Sequence, residues 1–222
     1  MLNVHQLQLL HFKNYVQGEF KFPARIICIH GANGSGKTTI LDAIHYLCFT
    51  KSYFQHLDSS IITKGQQGMR IDGNFEDQQM YLVTCIIREN GRKEFMLDET
   101  PYVGFSQHIG KFPCVFIAPD DINLIMEGSE TRRKFLDAMM SQTSNAYMQS
   151  LILYNRFLQQ RNSLLKQWAD GSVKDYSLMA IYNKQLHEVG TAVFHERQAY
   201  CNKFISKVKN IYAHRHRTRR KA

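Results

Sequence analysis

Apolar and polar residues alternate with a period of two near the start of the chain. Leu7 and Leu9 share one face of a predicted strand over Val4–Phe12, and Phe20 and Phe22 continue the same period. Such alternation is typical of strands that have one buried and one solvated face. The pattern predicts two antiparallel strands at the start of the fold.

Further along, three alternating runs and two wholly apolar runs predict more strands. The alternating runs are Met69–Phe75, Met80–Arg88 and Arg92–Leu97. The dipeptide Asn90-Gly91 favours a tight hairpin turn between the last two. The apolar runs Ile26–Ile29 and Phe112–Ala118 are typical of strands buried on both faces. Together these runs predict a mixed sheet that contains an antiparallel meander.

From Ser129 onward apolar residues recur every three or four positions, which predicts helices. Ser129 is the predicted N-cap of the first helix. A long helix over Tyr147–Trp168 follows, and a second over Met179–Ile211 would extend roughly 50 Å at 1.5 Å per residue. The breaker Asp170-Gly171-Ser172 between them predicts an antiparallel hairpin of two long helices.

Positive charge is concentrated at the end of the chain. The formal net charge is +9, yet residues 203–222 hold eight Lys or Arg and no acidic residue, whereas the remainder has 20 basic and 19 acidic side chains. Residues 214–222 are therefore predicted to form a basic tail. It either attracts phosphate groups without sequence specificity or is a solvated end of the chain.

Composition is that of an ordinary globular protein. With 222 residues, 44% of them hydrophobic, the chain is long enough for one or two domains with a core. The five cysteines lack paired spacing, as is typical of reduced core residues. Neither a signal-like segment nor 18 consecutive apolar residues occur, so we expect a cytoplasmic protein without membrane contact.

The strongest chemical signal is the stretch Gly31–Thr38, which reads Gly-Ala-Asn-Gly-Ser-Gly-Lys-Thr and matches G-x-x-x-x-G-K-[ST] between a predicted strand and a predicted helix. Glycines at positive φ let backbone N–H groups converge on an anion at a helix start. We expect Lys37 to reach the β- and γ-phosphates and the Thr38 hydroxyl to ligate Mg²⁺, with ATP and Mg²⁺ as cofactors. The predicted nucleotide-binding residues are Gly31, Ala32, Asn33, Gly34, Ser35, Gly36, Lys37, Thr38 and Thr39.

Two parts of the chain resemble the RecF family. Leu9–Tyr15, Leu-Leu-His-Phe-Lys-Asn-Tyr, followed by the glycine loop, is similar to the RecF opening within the ABC-type and SMC-like ATPases. The second part is similar to the segment with which RecF proteins enter their helical lobe, and it comprises Pro119-Asp120, Leu124-Ile125, Gly128-Ser129, Arg132-Arg133 and Phe135-Leu136-Asp137. The resemblance continues to about residue 212.

This resemblance implies an α/β fold: an ABC-ATPase-like P-loop head with a mixed sheet, lobe I, and a helical lobe with a long antiparallel helix pair. The corresponding domains are 1–120 for the nucleotide-binding lobe and 121–213 for the helical lobe, before the basic tail 214–222. The family's Walker B acids and signature loop lie beyond the point where this chain stops, and after Tyr212 the sequence no longer resembles the family. We therefore expect a truncated, shifted or partial gene product that binds ATP without efficient hydrolysis, and its catalytic residues are unassigned.

The resemblance also implies a function. RecF proteins are weak DNA-dependent ATPases of recombinational repair, replication restart and SOS induction that prefer single-stranded or gapped DNA. RecR and RecO are implied partners, and the full-length family forms an ATP-dependent homodimer. Arg132 and Arg133 are candidates to face DNA phosphates or a subunit partner, and a solvated helix face is the alternative.

Two other classes of function remain open from the residues alone. Val115–Ala118 followed by Asp120 and Asp121 fits a Walker B strand end, which would make the chain a complete small P-loop kinase or GTPase. Against this, Pro119 separates the strand from the acids, and the segment around them is similar to RecF. The third class is a binding module that uses ATP only structurally.

Overall fold

The structure is a computed structural model that describes residues 2–171 and 175–219. The chain forms two compact units, residues 1–119 and residues 120–222. Ser172 of the predicted breaker and residues 220–222 of the predicted tail lie outside the described residues.

Within the described part of the first unit, six strands form one antiparallel sheet in the order β2-β1-β3-β4-β5-β6. The strands are β1 Asn3–Phe12, β2 Tyr15–Lys21, β3 Met69–Glu76, β4 Met80–Ile87, β5 Lys93–Leu97 and β6 Thr100–Pro101. Leu7 pairs with Phe20 of β2 on one side and with Gly73 of β3 on the other. Leu7 and Leu9 are both buried, which confirms the face predicted from the alternation.

One helix, α1 (Lys37–Phe49), packs against this sheet and contributes the largest part of the core opposite it. Its residues Ala43, Tyr46 and Leu47 have no exposed surface. The close approach depends on Gly73, because a Cβ added there would lie 2.4 Å from Leu47 Cδ1. Short 3-10 turns complete the unit at Asp58–Ile61 and Phe105–Gln107, and a third, Pro119–Ile122, crosses the boundary between the units.

Two predicted strands are absent from the described structure. Ile26–Ile29 and Phe112–Ala118 belong to no strand. The second still alternates as an extended chain does: Phe112 and Ala118 are buried, whereas Val115 is 86% and Ile117 is 82% exposed. A strand needs a neighbour for its N–H and C=O groups, and none of the described strands pairs with either segment. The sheet is accordingly antiparallel throughout the described residues, not mixed.

Residues with positive φ lie in the turns on both sides of β5, and the sequence predicts only the first of these two turns. Gly91, with φ 76°, lies in the β4–β5 turn, as its dipeptide indicates. Between β5 and β6, Asp98 and Glu99 both adopt positive φ, at 47° and 65°, although neither is glycine. The Asp98 carboxylate accepts a hydrogen bond from Leu82 N at 2.7 Å, which stabilises this conformation.

The second unit is helical, and its four described helices are α2 Asn123–Met126, α3 Ser129–Thr143, α4 Asn145–Ala169 and α5 Tyr176–Arg219. The long antiparallel pair is confirmed as α4 and α5. At 44 residues α5 is about 66 Å long and includes positions 214–219 of the predicted basic tail. No helix in the described part of the chain has the length and apolar character needed to cross a membrane.

The helix starts differ from prediction at one position. The N-cap of α3 is Gly128, so the assignment of Ser129 to that role is wrong by one residue. Instead, Ser129 is the first helical residue, and its Oγ accepts a hydrogen bond from Arg133 Nη1 at 2.9 Å. A serine does cap α4, where Ser144 Oγ accepts from Tyr147 N at 3.1 Å.

Candidate nucleotide-binding site

The glycine loop lies immediately before α1 and has the backbone conformation that its glycines allow. Gly34 has φ 80°, and Gly36, the N-cap of α1, has φ 91° and ψ 11°. A Cβ at Gly36 would also lie 2.6 Å from Asn14 Nδ2 and 2.7 Å from the Tyr15 ring. Glycine is thus required at position 36 both for the positive φ and for space.

The start of α1 provides main-chain donors for an anion. The first helical hydrogen bond runs from Ile40 N to Gly36 O at 3.2 Å, so the N–H groups of the preceding turn have no intrahelical acceptor. The loop residues 31–35 are exposed, whereas Ile40 and the helix beyond it enter the core. This arrangement of an exposed glycine loop and a helix N-terminus fits a phosphate group.

Lys37 lies across this loop. Its Nζ donates to Gly31 O at 2.9 Å and to Ala32 O at 2.7 Å. These bonds hold the ammonium beside the exposed main chain of the loop, where it would meet the phosphates of a bound nucleotide. The side chain predicted to neutralise phosphate charge is therefore already placed at the loop.

The two threonines of the motif have different surroundings. Thr38 is exposed in the first turn of α1, which suits a hydroxyl that ligates Mg²⁺. Thr39 is buried, and its hydroxyl donates to Asn14 Oδ1 at 2.7 Å. The prediction of Thr39 as a ligand residue therefore rests on its main-chain N–H alone.

A cavity of about 490 Å³ adjoins the loop. It lies between β2 and the segment that leads into the loop, and its lining includes Tyr15, Phe20, Ile27, Ser35 and Lys37. Its volume is within the range of small-molecule sites. A larger cavity of about 680 Å³ lies between Ser59–Gln67 and Asn90, but it contains neither the glycine loop nor a helix start. The chemistry therefore favours the smaller cavity.

Asp120 and Asp121, the acids of the alternative Walker B, lie in the single turn Pro119–Ile122. A Walker B acid follows a strand of the central sheet, and the residues before this turn form no strand in the described structure. The geometry that the kinase or GTPase alternative requires is thus missing from the described residues.

Arg132 and Arg133 are exposed near the start of α3. Arg132 Nη1 donates to Leu124 O at 3.2 Å and to Glu127 O at 2.9 Å, which satisfies carbonyls at the end of α2. Its guanidinium therefore has a local structural role. The assignment of either arginine to DNA stays a prediction.

Sequence reasoning missed the residues that support the loop from the side. Asn14 and Tyr15 contact Thr39 and Gly36, and the Tyr15 hydroxyl donates to Ser35 O at 3.2 Å. Both residues belong to the segment that resembles the RecF opening, which singled them out without giving them a role.

Comparison with known proteins assigns the class. A family model described as an AAA domain matches residues 6–189. Since this match covers most of the chain, the chain belongs to that family.

Among its relatives are proteins named DNA replication and repair protein RecF. The one from Cytophaga hutchinsonii is 38% identical over 210 residues, which are 95% of this chain and 56% of that protein. The one from Parabacteroides distasonis is 40% identical over 200 residues, 90% of this chain and 54% of that protein. The resemblance to RecF is thus confirmed, and the chain spans about half the length of the curated relatives it matches.

The fold agrees with this result. A solved structure described as the recombination mediator protein RecF with ATP in the RecFOR pathway matches with a TM-score of 0.84 and 26% identity, over 91% of this chain and 54% of that one. A second, described as RecF-ATPrS in the RecFOR pathway, has a TM-score of 0.82 and 27% identity over 91% of this chain and 55% of that one. The predicted P-loop ATPase head with a helical part is confirmed.

Proposed function

We propose that this chain binds Mg·ATP at Gly31–Thr38 as the head of a RecF-like DNA repair protein. The observation that carries the proposal is the placement of Lys37, whose ammonium is held by Gly31 O and Ala32 O across an exposed glycine loop. The domains proposed for this role are 1–120 for the head and 121–213 for the helical lobe, with 214–222 as the basic segment.

In this proposal the loop N–H groups and Lys37 bind the phosphates, and Thr38 Oγ1 provides a ligand to Mg²⁺. Bound Mg²⁺ would neutralise charge on the β- and γ-phosphates. The cavity beside Tyr15 and Phe20 takes the rest of the nucleotide, because it is continuous with Ser35 and Lys37 in its lining. All these contacts stabilise ATP in the ground state in which it is bound.

We further propose that the chain binds ATP without efficient turnover and does not dimerise on ATP addition. Efficient hydrolysis needs groups that stabilise the transition state, including an acid positioned at the metal and a donor from an opposing subunit. Ile26–Ile29 and Val115–Ile117 leave apolar side chains exposed, and the strands that would cover them are proposed to belong to the part of RecF proteins that this chain does not match.

The biological role proposed is that of the relatives: recombinational repair, replication restart and SOS induction in the cytoplasm. Single-stranded or gapped DNA, RecR and RecO are the proposed partners. The support is the name shared by the relatives and the solved structure described as a mediator in the RecFOR pathway.

The experiment that tests this function compares nucleotides on the purified chain. Titration with Mg·ATP, Mg·GTP and nucleoside monophosphates, each with and without gapped DNA, should give ATP binding that DNA strengthens. Single-turnover hydrolysis and light scattering should give slow turnover and no ATP-dependent dimer. Guanine preference or monophosphate dependence, with hydrolysis lost in Asp120→Asn or Asp121→Asn, would instead establish the small kinase or GTPase.

A further inference from the structure

The turn between β1 and β2 contacts the glycine loop at three points. Asn14 Oδ1 accepts from Thr39 Oγ1 at 2.7 Å, and the Tyr15 hydroxyl donates to Ser35 O at 3.2 Å. Between these two bonds, the Asn14 amide and the Tyr15 ring lie against Gly36, so closely that a single added methyl would overlap both. The two residues thus contact the loop on both sides of the N-cap of α1.

The same turn is tied to the body of α1. Lys13 Nζ lies 2.6 Å from Asp42 Oδ2, and the Asp42 side chain has no exposed surface. That carboxylate also accepts from Ser52 Oγ at 2.6 Å and from Tyr53 N at 2.7 Å, so both of its oxygens are paired. The Asp42 carboxylate thus links α1 to Lys13, whose φ of 52° is uncommon for a residue that is not glycine.

The turn itself is held from its other side. Lys13 N donates to Ile61 O at 2.7 Å, and Thr63 Oγ1 donates to Tyr15 O at 3.1 Å. The Tyr15 ring packs edge to face with Phe20, with centroids 5.4 Å apart. The contacts to the loop therefore come from a turn that is anchored to residues outside the loop.

We propose that Lys13–Tyr15, the brace, positions the glycine loop for phosphate, with Asn14 and Tyr15 as positioning residues. The inference rests on the proposed binding of Mg·ATP at Gly31–Thr38. A glycine loop can adopt many conformations. Binding of a ligand must restrict the loop to one of them, in which the N–H groups of the loop converge on the phosphate. The brace supplies part of that order in advance, because it fixes Ser35 O and Thr39 Oγ1 and leaves one side of Gly36 no room to move.

The brace makes a specific prediction for two variants of the full chain. Tyr15→Phe keeps the ring and removes only the bond to Ser35 O. Asn14→Ala removes the acceptor of Thr39 and opens the space beside Gly36. Each substitution removes about one hydrogen bond that orders the loop before ATP binds, so the affinity for Mg·ATP should fall about threefold to tenfold. The double variant should lose more affinity than either single variant.

Tyr102→Phe is the matched control, since it removes a tyrosine hydroxyl hydrogen-bonded within the same unit, to His108 Nδ1 at 3.2 Å. Three quantities are measured on each variant: the Kd for Mg·ATP, the thermal unfolding midpoint, and amide hydrogen exchange of residues 34–39 without nucleotide. We expect Tyr15→Phe and Asn14→Ala to weaken binding and to speed exchange in 34–39, with exchange in the last turn of α1 unchanged. Tyr102→Phe should alter neither binding nor loop exchange.

The inference is overturned if the two brace variants exchange like wild type in 34–39. It is also overturned if Tyr102→Phe, at an equal drop in the unfolding midpoint, loses as much affinity as the brace variants do. If wild type itself fails to bind Mg·ATP, the proposed function fails. The exchange measurement then still decides whether the brace orders the loop.

Discussion

The guanidinium of Arg197 makes a two-point bond with the carboxylate of Asp137, with Nε–Oδ1 at 2.8 Å and Nη2–Oδ2 at 2.7 Å. The Tyr147 hydroxyl donates to the same carboxylate and accepts from Arg197 Nε at 2.9 Å. Burial, and then the bond to Asp137, raise the pKa of Tyr147 above its ordinary value. These three side chains join α3, α4 and α5 beside the buried residues Met140 and Val193.

Replacement of Asp137 by Ala should therefore destabilise the helical unit. It leaves a half-buried guanidinium without its anion, and we expect a loss of about 2–4 kcal/mol in the free energy of unfolding. Trp168, the only tryptophan, lies in this unit and reports its urea unfolding by fluorescence. Lys134→Ala, which breaks the exposed pair with Glu130, should change the same quantity far less, because solvent screens that pair. Similar losses in the two variants would contradict this role of Asp137.

Gly73→Ala should destabilise the first unit, because the new Cβ would lie 2.4 Å from Leu47 Cδ1 between β3 and α1. Overpacking of this kind costs about 1–3 kcal/mol. Amide exchange in β3 measures the effect, and Gly104→Ala, where the nearest atom is 3.9 Å away, is the control. Adding Leu47→Val should recover part of the loss, since it shortens the side chain that clashes. If Gly73→Ala exchanges no faster than the control, the packing account is wrong.

The stability of the first unit should fall in acid because of His108. The side chain is fully buried, and burial lowers its pKa to about 4. Its Nε2–H donates to Leu47 O at 2.5 Å, which leaves Nδ1 to accept from the Tyr102 hydroxyl. Between pH 6.5 and pH 4 the unfolded chain binds a proton that the folded unit does not. The contribution of neutral His108 to the free energy of unfolding is fully present above about pH 6.5. It is lost as the pH falls to 4, and the loss is at most about 3 kcal/mol.

Unfolding of wild type and His108→Gln between pH 4 and pH 7.5 checks this. The variant should show a smaller slope of unfolding free energy against pH. Part of the slope should remain, because burial also lowers the pKa of His45. Equal slopes in the two proteins would show that His108 does not cause the loss of stability in acid.

DNA binding of low sequence specificity should depend on the basic segment. Removing residues 213–222 takes away five Lys or Arg and should flatten the slope of log K against log salt by several phosphate contacts. Titrations of gapped DNA at four or five salt concentrations measure the slope. An unchanged slope would place the DNA surface on the folded units, and Arg132→Ala and Arg133→Ala would then be the next variants to compare.

Local patterns predicted those parts of the fold in which neighbours in the sequence are also neighbours in space. The β1–β2 pair, the meander of β3 to β5 and the α4–α5 hairpin follow from periodicity and turn residues, and the glycine loop follows from its motif. Ile26–Ile29 and Phe112–Ala118 have the same strand-like composition but belong to no strand of the described sheet, and composition alone does not decide whether a segment joins a sheet. Periodicity describes one segment at a time, whereas a sheet forms between segments.

The residues that support the glycine loop could not be predicted from the sequence, for a related reason. Asn14 and Thr39 are 25 positions apart, and Lys13 reaches Asp42 across a similar interval. Asp42 lies within a helical run and has no sequence signal that distinguishes it from a solvated acid. Only the fold brings these pairs together, so the motif predicts the residues that touch phosphate and not those that hold the loop.

The central claim, that Gly31–Thr38 binds Mg·ATP, is tested most directly by titrating labelled ATP into wild type, Lys37→Ala and Arg132→Ala in the presence of Mg²⁺. Because a charge-assisted hydrogen bond contributes about 1.5–3 kcal/mol, Lys37→Ala should bind about 10-fold to 100-fold more weakly than wild type. Arg132→Ala, which removes a cation bonded to Leu124 O and Glu127 O, should bind like wild type. Equal affinities of wild type and Lys37→Ala would contradict the account.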